Sequence, residues 1–114
     1  MLSFHHHFPE QNHNEIEGWT SNPDIMERMS IIWLKDQDDH PATQSRMDIS
    51  SELLDSCTGI QLTIVQKGSN RVERLLKLIH YTDWISYYAA LRNKIDPTPV
   101  NRIQKLKEKV SKLN

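Results

Sequence analysis

Glycine, cysteine and long apolar runs are all scarce in this chain of 114 residues. The glycines are Gly18, Gly59 and Gly68, too few and too scattered for a glycine-rich loop that cradles phosphate. Cys57 is the single cysteine, which excludes an internal disulfide and is typical of a reducing compartment. No apolar stretch approaches the roughly 20 residues that span a bilayer, and the first residues lack a signal-peptide core. We therefore expect a cytoplasmic protein with no membrane partner.

An excess of charge of one sign is also missing. The chain has 14 lysines and arginines against 15 aspartates and glutamates, a formal net charge of -1. The overall electrostatic field therefore gives no reason to expect binding to nucleic acid or to anionic lipid. The length is enough for one small domain with one core.

The apolar pattern predicts a strand, a helix and a second strand in the middle of the chain. Residues 29–34 form an apolar run typical of a buried strand, and residues 60–65 alternate like a second one. A helix is predicted between them through about residue 57, with Gly59 as its left-handed C-cap. Its apolar stripe consists of Ile49, Leu53, Leu54 and Cys57. A strand, helix and strand in this order indicate an α/β fold with parallel strands.

A long helix is predicted over residues 71–94, with apolar side chains around much of its circumference. Such a helix is buried between layers or in a subunit interface, and this chain has few elements to cover it. We therefore expect an oligomer or a missing partner. His80 and Asp83 on this helix are either buried functional groups or groups that hydrogen-bond within helix packing.

A terminal amphipathic helix is predicted after residues 96–100, with Thr98 as N-cap and Pro99 at the first helical position. At about 100° per residue, Lys107 lies between Val100 and Ile103 on the apolar side. A desolvated ammonium there needs a partner or a chemical task. The alternative is a lysine that snorkels at the edge of the stripe.

Residues 8–19 contain a grouping suited to proton transfer. His13 lies between Asn12 and Asn14 and near Glu10 and Glu15, and its imidazole changes charge near physiological pH. These residues can donate, accept and move protons on a polar substrate. The alternative is a solvated, turn-rich loop, because Asn, Gly and Pro cluster in turns for backbone reasons alone.

Three adjacent histidines, His5, His6 and His7, precede this run. Neighbouring side chains on an extended segment point to opposite sides, so three in a row rarely converge on one ion. We expect no metal site here. A metal site around these histidines and His13 is the third-ranked interpretation, and an expression tag or an accident of the chain start is another.

The motifs occur in an order that resembles a known family. They are Phe-Pro-Glu at 8–10, Asn-His-Asn-Glu-Ile at 12–16, Ile-His-Tyr-Thr-Asp at 79–83, Ser-Tyr-Tyr at 86–88, Asp-Pro-Thr-Pro-Val at 96–100 and Leu-Lys at 106–107. Together they resemble the C-terminal half of bifunctional phosphoglucose/phosphomannose isomerases, which are sugar-isomerase (SIS) domain proteins. The resemblance covers nearly the whole chain from about Phe8 onward.

The resemblance implies a three-layer α/β fold of SIS type with a parallel sheet, present here only in its C-terminal portion. That portion would comprise two strands, a long buried helix and a C-terminal amphipathic helix. We expect an N-terminal segment at residues 1–19, which holds the Asn-His-Asn-Glu motif, and a C-terminal SIS-type half-domain at residues 20–114.

The resemblance also implies an activity. Family members interconvert glucose 6-phosphate or mannose 6-phosphate with fructose 6-phosphate through an enediol, with no metal or other cofactor. By correspondence, His13 assists ring opening in the neighbouring subunit's site, and Lys107 orients the ring oxygen or stabilises negative charge there. Asn12, Asn14 and Glu15 are the expected substrate-binding residues. The expected partners are the sugar phosphate and either a second copy or a missing N-terminal SIS half.

Two parts of the family's machinery have no counterpart in this sequence. The carboxylate base lies upstream of the Phe-Pro-Glu motif in the family, and so do the Ser/Thr-rich phosphate loops. Nothing in the sequence places Glu10 or Glu15 over the reacting carbons, so we do not assign them as the base. We therefore expect activity to require an N-terminal half. The alternative is a non-catalytic SIS-type module for dimerisation or sugar-phosphate binding.

Overall fold

A computed structural model describes residues 3–113 of the chain. Within this range the chain forms five α-helices, one short 3-10 helix at Glu10–Asn12 and two β-strands. In chain order the elements after the 3-10 helix are α1 (Glu15–Thr20), α2 (Pro23–Met26), β1 (Ser30–Asp36), α3 (Pro41–Leu53), β2 (Ile60–Gln66), α4 (Arg71–Arg92) and α5 (Asn101–Val110).

The two strands form a parallel sheet, in register from Ser30 opposite Ile60 to Asp36 opposite Gln66. Parallel neighbours need a crossover connection, and α3 lies within it. The predicted α/β fold with a parallel sheet is therefore confirmed. Strand β1 is longer than its apolar run, because the strand continues through the polar residues Lys35 and Asp36.

Helix α3 lies between the two strands as predicted, but it ends earlier than the predicted helix. His40 caps its start, since its Nδ1 accepts a hydrogen bond from the backbone N–H of Ala42 at 3.2 Å. The helix ends at Leu53, so Cys57 lies outside it. The left-handed C-cap predicted at Gly59 is wrong, because no described glycine has a positive φ. Gly59 is required for another reason: a Cβ there would lie 2.5 Å from the carbonyl oxygen of Glu27.

The core lies where β1, α3 and the N-terminal run meet. Its buried members are Trp33, Met47 and Leu54. The side chains of Phe8, Ile16, Trp19 and Ile31 pack against them. Residues 8–19 therefore do not form the solvated loop of the alternative interpretation, because apolar side chains at both ends of the run are attached to the core.

Helix α4 has the predicted start, but it is not buried. Its one buried residue is Arg74, and most of its large apolar side chains, such as Leu75 and Trp84, are exposed in this chain. The sequence predicts burial between layers or in a subunit interface, and the described residues contain no element that covers these faces. Burial of α4 by a second copy or a missing portion therefore stays a prediction. His80 and Asp83 are exposed too, and His80 Nε2 accepts a hydrogen bond from Trp84 Nε1 at 2.9 Å.

Helix α5 begins at Asn101, with Val100 as its N-cap and no side-chain capping bond. Thr98 is therefore not the N-cap that the sequence predicts. Instead, its backbone N–H donates to Asp96 Oδ1 at 2.9 Å in a local turn, which ties residues 96–98 together before the helix starts. The described residues form two compact units, 3–78 and 79–113, and α4 contributes to both.

Candidate active site

His13 lies at an exposed turn between the 3-10 helix and α1. Its backbone N–H donates to the carbonyl oxygen of Glu10 at 3.0 Å, which closes the short helix. Helix α1 then begins at Glu15. The chain thus changes direction at His13, and its imidazole is open to solvent or to a ligand. An exposed imidazole beside ordered backbone is suited to transferring protons to an external substrate.

Asn12 fastens this turn to the body of the first unit. Its Nδ2 donates to Ser50 Oγ at 2.7 Å and to Gln11 Oε1 at 3.1 Å. Ser50 lies on α3 and is 2% exposed, and Gln11 is 4% exposed. The amide of Asn12 is therefore used mainly inside the protein, and a polar network continues inward from the turn that carries His13.

The other two residues of the motif lie on the outer side of the turn. Asn14 is the N-cap residue of α1, but its side chain makes no capping bond, so its amide is exposed and available. Glu15 is half-exposed and its Oε2 lies 2.7 Å from Nδ1 of His6. The histidine run also contacts the 3-10 helix before His13, since the carbonyl oxygen of His7 accepts a hydrogen bond from the backbone N–H of Gln11 at 3.1 Å.

Lys107 lies in the last turn of α5 and is exposed along with the rest of that helix. It forms no ion pair with any residue from 3 to 113. His13 belongs to the first compact unit and Lys107 to the second. A free ammonium at this position has the chemistry to hold an oxygen atom that carries negative charge.

A charge cluster at the carboxyl end of the sheet was not anticipated from the sequence. Arg74 is 4% exposed, and its Nε lies 2.6 Å from Asp36 Oδ1 while its NH2 lies 2.7 Å from Asp38 Oδ2. Its NH1 donates to the carbonyl oxygen of Gly68 at 3.2 Å. A sequence signal existed, because acidic residues follow β1 and basic residues start α4, and parallel strands end at the same edge.

The carboxylates of this region have lowered pKa values. The backbone N–H of Asp38 and then the Arg74 guanidinium hold the pKa of Asp36 below its usual value. Hydrogen bonds first from Lys77 and then from Ser69 lower the pKa of Glu73 to about 2. Both carboxylates are therefore ionised at neutral pH and occupied by partners within the chain. These carboxylates stabilise the start of α4 through their ion pairs and hydrogen bonds, and they are not free to act as a base on a substrate.

We also searched residues 3–113 for metal-binding groups, membrane-spanning helices and pockets. They contain no group of three or more His, Cys, Asp or Glu side chains placed to hold a metal ion, including the histidines near the start. No helix in that range is long and apolar enough to cross a membrane. A shallow surface pocket of about 320 Å³ lies beside Trp19 and Cys57, and its lining does not include His13.

Comparison with known proteins identifies the family. Residues 1–110 match the model of the bacterial phospho-glucose isomerase C-terminal SIS domain. The chain belongs to this family. The resemblance seen in its motifs is thereby confirmed, and so is the assignment of its fold to the C-terminal portion of a SIS-type α/β fold.

The similar curated proteins of this family are much longer than the chain. A bifunctional phosphoglucose/phosphomannose isomerase of Caldicellulosiruptor bescii is 37% identical over 106 residues, which cover 93% of this chain and 31% of that protein. One of Aquifex aeolicus is 33% identical over 104 residues, covering 91% and 32%. One of Thermoplasma volcanium is 26% identical over 112 residues, covering 97% and 34%. The chain thus spans about a third of these relatives' length. No solved structure matches it significantly.

Proposed function

We propose that this chain is the C-terminal part of an aldose-ketose isomerase that interconverts glucose 6-phosphate or mannose 6-phosphate with fructose 6-phosphate. Membership of the SIS family and the names of the relatives support the reaction class. The observation that carries the proposal for this chain is the exposed His13 on a turn that is attached to the core. Activity requires an N-terminal portion that supplies the carboxylate base and the phosphate loops.

His13 acts in ring opening. The six-membered ring opens when a proton leaves the anomeric hydroxyl and a proton reaches the ring oxygen, and an imidazole can accept one such proton and donate the other. Lys107 orients the ring oxygen or stabilises the negative charge that develops on oxygen. Asn14 and Glu15 lie beside His13, where they can bind sugar hydroxyl groups. The enediol step that follows uses the base from the N-terminal portion.

Reconstitution tests this proposal. The chain would be combined with the N-terminal two-thirds of the Caldicellulosiruptor bescii relative, and conversion of glucose 6-phosphate to fructose 6-phosphate would be followed. We expect neither part to be active alone and the pair to be active. His13→Ala should then slow conversion of the cyclic sugar roughly 100-fold, the lower end of general acid-base effects, while conversion of an open-chain analogue is largely kept.

A matched control is His5→Ala, since His5 is also exposed and forms no side-chain hydrogen bond or ion pair among the described residues. This variant should keep the activity of the pair. The proposal fails if the pair stays silent while the intact relative turns over, and the ring-opening role fails if His13→Ala slows the cyclic and open-chain substrates equally.

A second candidate function is a non-catalytic module that dimerises or binds sugar phosphate. The observation that favours it is the exposed aromatic cluster of Trp84, Tyr87 and Tyr88 on α4, whose ring centroids lie 5.5 to 5.7 Å apart. Aromatic side chains are enriched at protein interfaces. A stable dimer with no activity in the reconstituted pair would favour this function. A rise in melting temperature on adding glucose 6-phosphate would then indicate sugar-phosphate binding, and an unchanged melting temperature would indicate dimerisation alone.

A further inference from the structure

We propose that Ser50 is a positioning residue, which holds the turn that carries His13 in its working orientation. The proposal rests on the proposed function, since it assigns a second residue to the same ring-opening site. The observation behind it is the 2.7 Å hydrogen bond from Asn12 Nδ2 to Ser50 Oγ, two groups that are 38 positions apart in the chain. Asn12 immediately precedes His13, so this bond fixes the backbone next to the imidazole.

The hydroxyl of Ser50 lies on the apolar, core-facing side of α3. Ser50 lies on α3 between the core residues Met47 and Leu54, and the spacing places all three on one face of the helix. A hydroxyl on an apolar face loses its hydration on folding, so it must be hydrogen-bonded to be tolerated. Among residues 3–113, the side-chain partner of this hydroxyl is Asn12. The bond to the turn therefore accounts for a serine at a core position.

The turn has apolar attachments on both sides of this bond. Phe8 packs against the core, with its ring centroid 5.9 Å from that of Trp33, and Ile16 packs against the same core after the turn. The hydrogen bond between Asn12 and Ser50 lies between these two attachments. Three fixed points limit the movement of the backbone at His13 and so restrict the region that its imidazole can reach, which favours proton transfer to a bound sugar.

Two neighbouring amides extend the polar contacts of the turn. Gln11 Nε2 and Asn12 Oδ1 are buried and have no hydrogen-bond partner among the described residues. An unsatisfied buried polar atom is destabilising, and apolar residues at these places would avoid the loss. Here the polar pair gives the Asn12 amide a second contact and defines its orientation.

The test compares two serines that are adjacent on the same helix. Ser50→Ala removes the hydroxyl that receives the bond from Asn12. Ser51→Ala is the matched control, since the Ser51 hydroxyl donates to Gln61 Oε1 at 3.0 Å and does not touch the turn. In the isolated chain, amide NMR should show faster exchange of the Asn12 side-chain protons in Ser50→Ala and unchanged exchange in Ser51→Ala. Unchanged exchange in Ser50→Ala would overturn the proposal.

Kinetics of the reconstituted enzyme separate positioning from a merely structural role. We expect Ser50→Ala to lower kcat on cyclic glucose 6-phosphate roughly three- to tenfold, with KM and turnover of an open-chain analogue unchanged. Ser50→Cys, which keeps a weak acceptor of similar size, should recover part of the loss. Equal losses on both substrates, or losses that follow the melting temperature in both serine variants, would show that Ser50 only stabilises the fold.

His13→Ala, measured in parallel, distinguishes the failure of this inference from the failure of the proposed function. If His13→Ala is impaired in ring opening and Ser50→Ala is normal, the positioning role is wrong and the function of His13 stands. If His13→Ala opens the ring normally, the ring-opening function is wrong, and the positioning role falls with it.

Discussion

At the scale of single residues, the first unit contains a place where two backbone segments lie so close together that a side chain does not fit between them. Gly59 is the clearest case, because its backbone N–H donates to the carbonyl oxygen of Met29 at 3.2 Å while its Cα faces the Glu27 carbonyl. This contact joins the start of β2 to the segment before β1. The two strands are thereby brought together at the end where their pairing begins.

Gly59→Ala should destabilise the chain, because the added methyl group would lie 2.5 Å from the backbone oxygen of Glu27. We expect a loss of about 1–3 kcal/mol in the free energy of unfolding, the usual cost of overpacking. Gly18→Ala is the control, since a Cβ at Gly18 in α1 meets nothing within 4 Å. That variant should gain about 0.5–1 kcal/mol. Urea denaturation measures the free energy of unfolding of both variants. Equal effects of the two substitutions would contradict the steric role of Gly59.

Acid should unfold the first unit through the carboxylates around Arg74. A carboxylate with a lowered pKa contributes stability above its unfolded pKa, and this stability is lost as the pH falls through the folded value. For Glu73 the window runs from 4.5 down to about 2. We expect Glu73→Gln and Asp36→Asn to flatten the acid limb of a plot of melting temperature against pH, and Asp24→Asn to leave it unchanged. An unaltered slope in all three variants would contradict this.

At the scale of elements, α4 ends with a well-defined capping motif that contains an unusual residue. Lys94 has a φ of 56°, in the left-handed region that favours glycine. Its backbone N–H donates to the Leu91 carbonyl at 2.9 Å, and that of Ile95 donates to the Ala90 carbonyl at 2.9 Å. These two bonds are the pair that defines a Schellman motif. A lysine thus occupies the position where most helices of this kind place glycine.

Lys94→Gly should therefore stabilise the end of α4. Removing the Cβ relieves a left-handed conformation that disfavours ordinary residues by roughly 1–2 kcal/mol, and part of this gain is offset by the greater freedom of glycine in the unfolded chain. We expect a net gain of about 0.5–1 kcal/mol in thermal or urea unfolding. The control is Lys105→Gly in the interior of α5, where the same substitution should lose about 1 kcal/mol of helix stability. A loss at both positions would contradict the motif.

The elements that the sequence predicts well are those with a strong local pattern. The β-rich runs of β1 and β2 and the start of α4 at Arg71 are found where the pattern predicts them. The end of helix α3 is predicted less well, because only Met47 and Ser50 are buried within it and the buried Leu54 is already its C-cap. Because most residues of α3 are small or polar, the apolar pattern of the sequence does not show which side chains pack against the core or where the helix ends.

The candidate site, too, can be predicted only in part from the sequence. The motif around His13 is visible in the sequence because its residue types have distinctive chemistry. The hydrogen bond from Asn12 to Ser50 is not visible in the sequence, because a contact between residues 38 positions apart depends on how α3 packs. Arg74 was missed for a similar reason, since a buried arginine is exceptional and its partners Asp36 and Asp38 come from another element.

At the scale of the whole molecule, many large apolar side chains are exposed, and clusters of such side chains mark interaction surfaces in soluble proteins. Exposed apolar side chains occur on both strands and on α4 and α5. Examples are Leu34, Leu62, Leu75, Trp84 and Ile103. Together with its length of about a third of the relatives, this surface supports the proposal that the chain works with further polypeptide, either a second copy or the N-terminal portion.

We therefore expect the isolated chain to associate with itself as its concentration rises, because association removes apolar surface from water. Light scattering should show a rising mean mass, and Trp84→Gln should reduce the association. Phe4→Gln is the matched control, since Phe4 is also an exposed aromatic residue but lies outside α4. Adding the N-terminal portion of a relative at about 100 times its Kd should suppress self-association and stabilise the chain by about 2.7 kcal/mol. A monomer at every concentration, with an unchanged melting temperature on adding that portion, would contradict the need for a partner.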